Sequence, residues 1–130
     1  MMFFSRALYR PALALITSFS LCLLAMQAMA NPFVVQGIPV DETANNAVTA
    51  RTQAMTNAQT QAWDAMIAAL VEAGEPVQYI QKPDPLTIGG LVETMEVSGE
   101  QTTPTRYIAN IDVIFSESAM RNHLARSGVR

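Results

Sequence analysis

The chain predicts an α+β fold, a long helix near the start of the mature chain packed on a small antiparallel sheet, and three observations carry that expectation. Residues 44–73 hold no proline or glycine and repeat alanine at helical spacing. Residues 106–115 alternate apolar and mixed positions with the period of a strand. Proline and glycine punctuate the chain between and around these segments, at Gly74, Pro76, Pro83, Pro85, Gly89, Gly90 and Pro104. A helix has one stripe to bury and a sheet one face, so helices covering an antiparallel hairpin is the expected architecture.

Taken in order, residues 1–30 read as a secretory signal peptide. Arg6 and Arg10 stand without an acid in the first ten residues, an apolar stretch covers residues 12–26, and Ala28-Met29-Ala30 gives the small-x-small pattern of a cleavage site. Cleavage is expected before Asn31. The alternative, an uncleaved membrane anchor, needs roughly 20 apolar residues to span a bilayer, and about 15 are present. Leu21, not a small residue, precedes Cys22 and more apolar residues follow, which argues against a lipoprotein signal; Arg6 and Arg10 are not adjacent, which argues against the twin-arginine route.

Cleavage there has two chemical consequences. Cys22 is the one cysteine of the 130 residues, so the mature chain loses its disulfide and thiolate chemistry. Of eight basic residues six remain, against eleven acids, all beyond residue 30, for a formal charge of −5. Nucleic acid and anionic membrane both demand a basic face, so neither is an expected partner, and a membrane is met only through an uncleaved signal. Residues 31–130 make one small domain able to bury roughly 65% of its unfolded surface.

Residues 33–40 are rich in valine and isoleucine but interrupted by Gly37 and Pro39, as suits an edge strand. Asp41 or Thr43 can then cap the long helix. Within it Ala47, Ala50, Ala54, Ala58, Ala62, Ala65 and Ala69 form a smooth stripe that permits a close approach to a sheet or another helix. Val48, Met55, Trp63, Met66 and Leu70 widen the apolar face, while Thr49, Gln53, Asn57, Thr60 and Asp64 take the opposite one. Gly74 and Pro76 stop the helix, which unbroken would run about 45 Å at 1.5 Å per residue. Residues 78–90 read as a loop with room for one helical turn at 85–88. Two strands follow, residues 91–101 and 106–115, around a turn at Thr102-Thr103-Pro104. Ser116 can cap a last helix over residues 117–126, with Glu117 and Arg126 at the ends their charges favour.

Several of these residues together resemble a known family. Pro39-Val40-Asp41, Thr43-Ala44, Ala47, Ala50-Arg51, Ala54, Gln59 and Ala62, followed by Pro104-Thr105-Arg106-Tyr107-Ile108-Ala109 and Phe115, are similar in kind and order to the proteobacterial envelope proteins catalogued as domain of unknown function 2066. The resemblance covers almost the whole mature chain. It implies export across the inner membrane, an α+β module and no established activity. It also implies longer relatives, with a further domain after the segment matching residues 119–124.

Candidate chemistry is sparse. His123 is the one histidine, so no multi-histidine metal site is expected, and its place beside Asn122 and Leu124 suits a surface residue. Asp64 could orient it as a base for Ser98, Ser116 or Ser118, but no serine stands in a Gly-x-Ser-x-Gly elbow. Glu93 and Glu96 point to opposite faces of a strand unless a bulge intervenes. Glu96 and Glu100 share a face but lie about 13 Å apart, too far for a glycosidase pair. An acidic edge that discourages strand pairing is the simpler reading. Arg51 lies near the alanine stripe, where it either pairs with Glu96 or Asp112 or lays its stem across apolar surface. No cofactor and no catalytic residue is expected.

The expected function is therefore an exported, periplasmic interaction module of the cell envelope without enzymatic activity; the alternative is a periplasmic small-molecule or glycan-binding protein. Ile67 and Val71 make the end of the long helix apolar almost all round, and with Trp63 and Leu70 they could form an interface of a few hundred Å² for an envelope protein or a second copy. The loop at residues 75–85, through Val77, Tyr79 and Ile80, could instead fold back over them.

Overall fold

The computed structural model describes residues 30–129, so the signal-peptide reading, with Ala28 and Cys22, lies outside the described residues. The described residues form an α+β fold of a three-stranded antiparallel sheet and three helices. Strand β1 (Val34–Thr43) leads to helix α1 (Ala47–Glu72), helix α2 (Pro85–Leu91), strands β2 (Val92–Thr102) and β3 (Arg106–Phe115), and helix α3 (Glu117–Arg126). Spatial order is β1-β3-β2. Because β1 and β2 are both antiparallel to β3, they run parallel to each other with β3 between them, a split β-α-β unit joined by α1 and α2.

Sequence explains where each element starts and stops. Asn46, extended at φ −154°, caps α1 by accepting from the Thr49 amide at 2.8 Å. The expected caps, Asp41 and Thr43, are instead the last residues of β1, which runs three residues beyond the expected strand. They stay extended because that stretch keeps pairing with β3 as far as Arg106, whose guanidinium grips the Asp41 carboxylate at 2.6 and 2.7 Å. Gly74, at φ +86°, ends the helical path in a conformation that costs glycine little. The segment at 85–88 expected as a single turn extends to a seven-residue helix, with Pro85 at its start and Asp84 accepting from the Thr87 amide and hydroxyl.

Gly37, at φ +70°, sits in a bulge of β1, and its amide donates to the Asp112 carboxylate at 2.7 Å. A second irregularity falls between Ser98 and Gln101, where Gly99 takes φ +61°.

Helix α1 lays its alanines on β1 and β3. Ala50, Ala54, Ala58 and Ala62 are wholly buried, so the helix comes close to the sheet, while Trp63, Met66 and Leu70 supply bulk at its far end. From the sheet, Ile38, Val40, Tyr107, Ala109, Ile111, Val113 and Phe115 complete the core. The alternation along β3 is regular: odd positions are buried, even ones half-buried or exposed. Among the described residues no helix packs on the even-numbered face. α3 adds Met120 and Leu124 to the core end near Trp63.

Candidate functional site

The residues expected to form an interface do not share a surface. Trp63 and Leu70 are buried among core side chains, Ile67 is half-buried against that core, and only Val71, at 40% exposure, faces solvent. The reason is the chain after α1. Val77 is buried, Ile80 packs on the core, and Lys82 reaches back to the Asp64 carboxylate at 2.6 Å, on the helix side that carries Ile67 and Val71. The loop thus folds back along α1, as the alternative reading had it, although Tyr79 stays exposed. Burial of Trp63 and Leu70 removes the bulk of the expected patch.

Arg121 organises that same corner and had no place in the reading of the sequence. Its guanidinium makes two hydrogen bonds to the Glu75 carboxylate at 2.7 and 2.8 Å, lies 3.9 Å from Glu117 one turn earlier, and stacks 5.0 Å above the Phe33 ring. One side chain ties α3 to the loop after α1 and to the entry of β1. The spacing to Glu117 was visible in the sequence; the two longer links were not. Asn31, expected as the first residue of the mature chain, accepts from the Phe33 amide with its side chain and from the Val34 amide with its carbonyl. Phe33 itself is buried and its carbonyl receives the Phe115 amide.

His123 is half-buried, not a plain surface residue, and meets Trp63 edge-on with ring centres 5.8 Å apart. Asp64, the group considered as its orienting carboxylate, is engaged by Lys82 instead. Ser116 and Ser118 share a hydrogen bond at the start of α3, where Ser116 caps the helix. These contacts hold the fold. They do not assemble a nucleophile and a base.

The three glutamates of β2 are separated by the strand's irregularities. Val97 pairs with Ile111, on the helix-covered face, so Glu96, opposite Asp112, lies on the open face. The irregularity at Gly99 then shifts the alternation, and Glu100 turns to the helix side, where its carboxylate stands 4.0 Å from Arg51. Glu96 and Glu100 do not share a face. Arg51 accordingly meets Glu100, not Glu96 or Asp112, and its guanidinium lies 6.0 Å from the centre of the Tyr107 ring. Beneath it the Tyr107 hydroxyl is buried without a hydrogen-bond partner among the described residues.

Shallow depressions open on the surface of the described residues. One of about 640 Å³ lies between α2 and α3, bounded by Leu91, Asn122 and Arg126; another, about 450 Å³, lies between α1 and α2 at Gln59, Leu86 and Gly89. Arg126 is the sole charged group lining either. Among the described residues no three His, Cys, Asp or Glu side chains gather as metal ligands, and no helix is long and apolar enough to cross a membrane. The Arg106 hydrogen bonds hold the Asp41 carboxyl below the usual carboxylate range, and the Thr87 hydroxyl and amide do the same for Asp84.

No protein-family model, curated protein or solved structure matches this chain.

What the surface does offer is backbone and apolar area at the flank of the sheet. Leu86 (87% exposed) and Val48 (76%) project from the helices, and Val97 is 36% exposed although it belongs to the face that α1 covers elsewhere. Among the described residues both outer strands, β1 and β2, have a free edge.

Proposed function

We propose that this chain is an exported, periplasmic protein that acts as a non-enzymatic interaction module of the cell envelope. The observation that carries the reading is the half-covered sheet. Among the described residues, helices close one face, while the other face and the edge of β2 stay open, with Val48 and Leu86 exposed on the helices. Exposed apolar groups beside unpaired strand edges suit recognition of another polypeptide better than turnover of a small molecule.

Export rests on the leader pattern ending at Ala30. Membership in the envelope family named above, on the paired motifs in their order, belongs to the same proposal. So does the reading of residues 31–130 as one domain.

Two measurements test it. Intact mass of the exported chain should correspond to a start at Asn31, and Ala30→Phe should leave a membrane-held precursor, because a bulky residue does not fit the cleavage pocket. Wild-type protein that keeps Met1 at the membrane rules out export through a cleaved signal. Affinity capture from the envelope fraction, read by mass spectrometry, should return a stoichiometric partner; purified protein that turns over an envelope metabolite in the absence of any partner would replace the module with an enzyme.

A further inference from the structure

The two free edges of the sheet are not equivalent, and backbone hydrogen bonds show why. On one side of β3, Ala44 donates to the Thr105 carbonyl and Phe115 to the Phe33 carbonyl; on the other, Thr103 donates to Arg106 and Ser116 to Leu91. Along antiparallel strands these directions alternate. The pairs Glu42–Tyr107, Val40–Ala109 and Ile38–Ile111 therefore bond inward, leaving Pro39, Asp41 and Thr43 to face out of β1. Pro39 has no amide proton to offer there, and the Gly37 bulge interrupts the edge two residues earlier. The β1 edge is closed to a further strand.

On β2 the same alternation turns Thr94, Glu96 and Ser98 towards β3 and Met95 and Val97 outward, with both amides and both carbonyls free of the ladder. No proline interrupts this stretch. Its side chains differ by face. Met95 and Val97 lie on the helix side, next to the α1 row of Val48, Arg51, Met55 and Gln59, as the Arg51–Glu100 approach and the Gln59–Met95 contact at 3.1 Å show. The open side carries Glu96 directly opposite Asp112, a like-charge pair that weakens the sheet, and Glu93 stands close by in the irregularity at the strand's start. None of these three carboxylates makes an ion pair among the described residues.

We propose that the free edge of β2 docks an extended basic segment of another protein as a fourth strand. Its lysines or arginines meet Glu96 and Asp112 on the open face, and its alternate apolar residues cover Met95, Val97 and Met55 on the helix side. This deepens the interaction-module reading and rests on it for biological meaning. Backbone hydrogen bonds supply the attachment and charge supplies the choice of partner. A second copy is disfavoured as occupant, since antiparallel pairing of β2 with β2 about the free Met95 and Val97 backbone sets Glu96 against Glu96, and the β1 edge of a second copy presents Pro39.

The test uses isotopically labelled protein and two capped peptides of equal length, one alternating lysine with valine and one alternating glutamate with valine. The basic peptide should slow amide exchange at Met95 and Val97 at least tenfold, leave Asp41 and Thr43 unchanged, and lose affinity as salt rises. Glu96→Lys, at an exposed site, should keep the fold's spectrum and weaken the basic peptide at least tenfold, with Glu96→Gln in between. Lack of protection at Met95 and Val97, or equal binding of the two peptides, overturns the proposal. Envelope capture with the wild type and Glu96→Lys separates the two levels. A partner held equally by both keeps the module reading and overturns the β2 edge, whereas peptide protection with no envelope partner keeps the edge and overturns the module.

Discussion

Removing one oxygen atom from the core should make this protein more stable. Tyr107 is wholly buried on the helix face of β3, with Ala50 and Ala54 of α1 among the side chains of the same core, and its hydroxyl has no hydrogen-bond partner among the described residues. A buried unsatisfied polar group costs about 1–3 kcal/mol relative to its hydrated state in the unfolded chain. Tyr107→Phe keeps the ring, its packing and its place under the Arg51 guanidinium, and leaves behind a void of a single atom whose lost dispersion is a few tenths of a kcal/mol. The net gain is about 1 kcal/mol. For a domain of this size that raises the urea midpoint by roughly 0.5–1 M at an unchanged slope and the midpoint temperature by about 4–8 °C. Parallel urea titrations followed through Trp63 fluorescence read the difference. A fall of about 1 kcal/mol or more refutes the reasoning, because it requires that the hydroxyl is satisfied by a buried water.

The other predictions concern packing, backbone and charge. Ala58→Leu adds bulk to a wholly buried position where α1 lies close to the sheet and should destabilise by about 1–3 kcal/mol, whereas Gln53→Leu on the exposed side should stay within about 0.5 kcal/mol; equal urea midpoints would mean the alanine stripe does not set the helix-to-sheet distance. Gly37→Ala meets no neighbour within 4 Å, so its cost of about 1–2 kcal/mol comes from the left-handed backbone alone, and Gly37→Asn should recover part of it; a clean loss of the same size in both would point to sterics instead. Asp41 has its folded-state carboxyl held below the usual range by Arg106, so its contribution is present above the unfolded-state value near pH 4 and is lost as pH falls through the folded one. Asp41→Asn should therefore narrow the stability gap to the wild type as pH is lowered from about 6 to about 3, and a gap that does not change with pH contradicts that assignment.

What the sequence made legible was whatever local periodicity could carry. Alternation from Tyr107 to Phe115 identified the buried face of β3, and the alanine spacing identified the side of α1 that meets the sheet from Ala50 to Ala62, though Ala65 of the same stripe is exposed, because both patterns are consequences of backbone geometry within one element. The start of α1 was misplaced for a tertiary reason: Asp41 and Thr43 are good caps in isolation, but pairing with β3 and the Arg106 grip keep them extended, and Asn46 takes the role. Glu96 and Glu100 were assigned to one face because a regular strand puts even separations together, and the turn at Gly99 that breaks the rule depends on a positive φ that the neighbouring residues do not announce. The expected patch failed similarly. Helical spacing put Trp63, Ile67, Leu70 and Val71 at one end of α1, yet whether that end is bare depends on the path of residues 75–84, which Lys82, Val77 and Arg121 fix through contacts 18 to 46 residues apart in the chain.

The two sheet edges carry different kinds of protection. Proline and a bulge act on the backbone: the missing amide at Pro39 is missing for every incoming strand, whatever its sequence, so the β1 edge is blunted without discrimination. Charge acts differently. Glu93, Glu96 and Asp112 repel an acidic strand and a second copy of β2, but the same field favours a basic strand, so an acidic edge excludes most partners while admitting one class. A protein that needed only to avoid aggregation could have used the indiscriminate device on both sides. Here the backbone of Met95 and Val97 is left intact on the edge where Glu93 and Glu96 make no ion pair among the described residues, and the Glu96–Asp112 juxtaposition costs stability that an arriving cation would restore. That coupling makes a further measurable statement. Asp112→Asn should raise the stability of the free protein through relief of the like-charge contact, provided the amide oxygen of the new side chain still accepts from the Gly37 amide, and should at the same time weaken the lysine–valine peptide. A variant that gains stability and binds the peptide more tightly would separate the two effects and remove charge as the selecting principle.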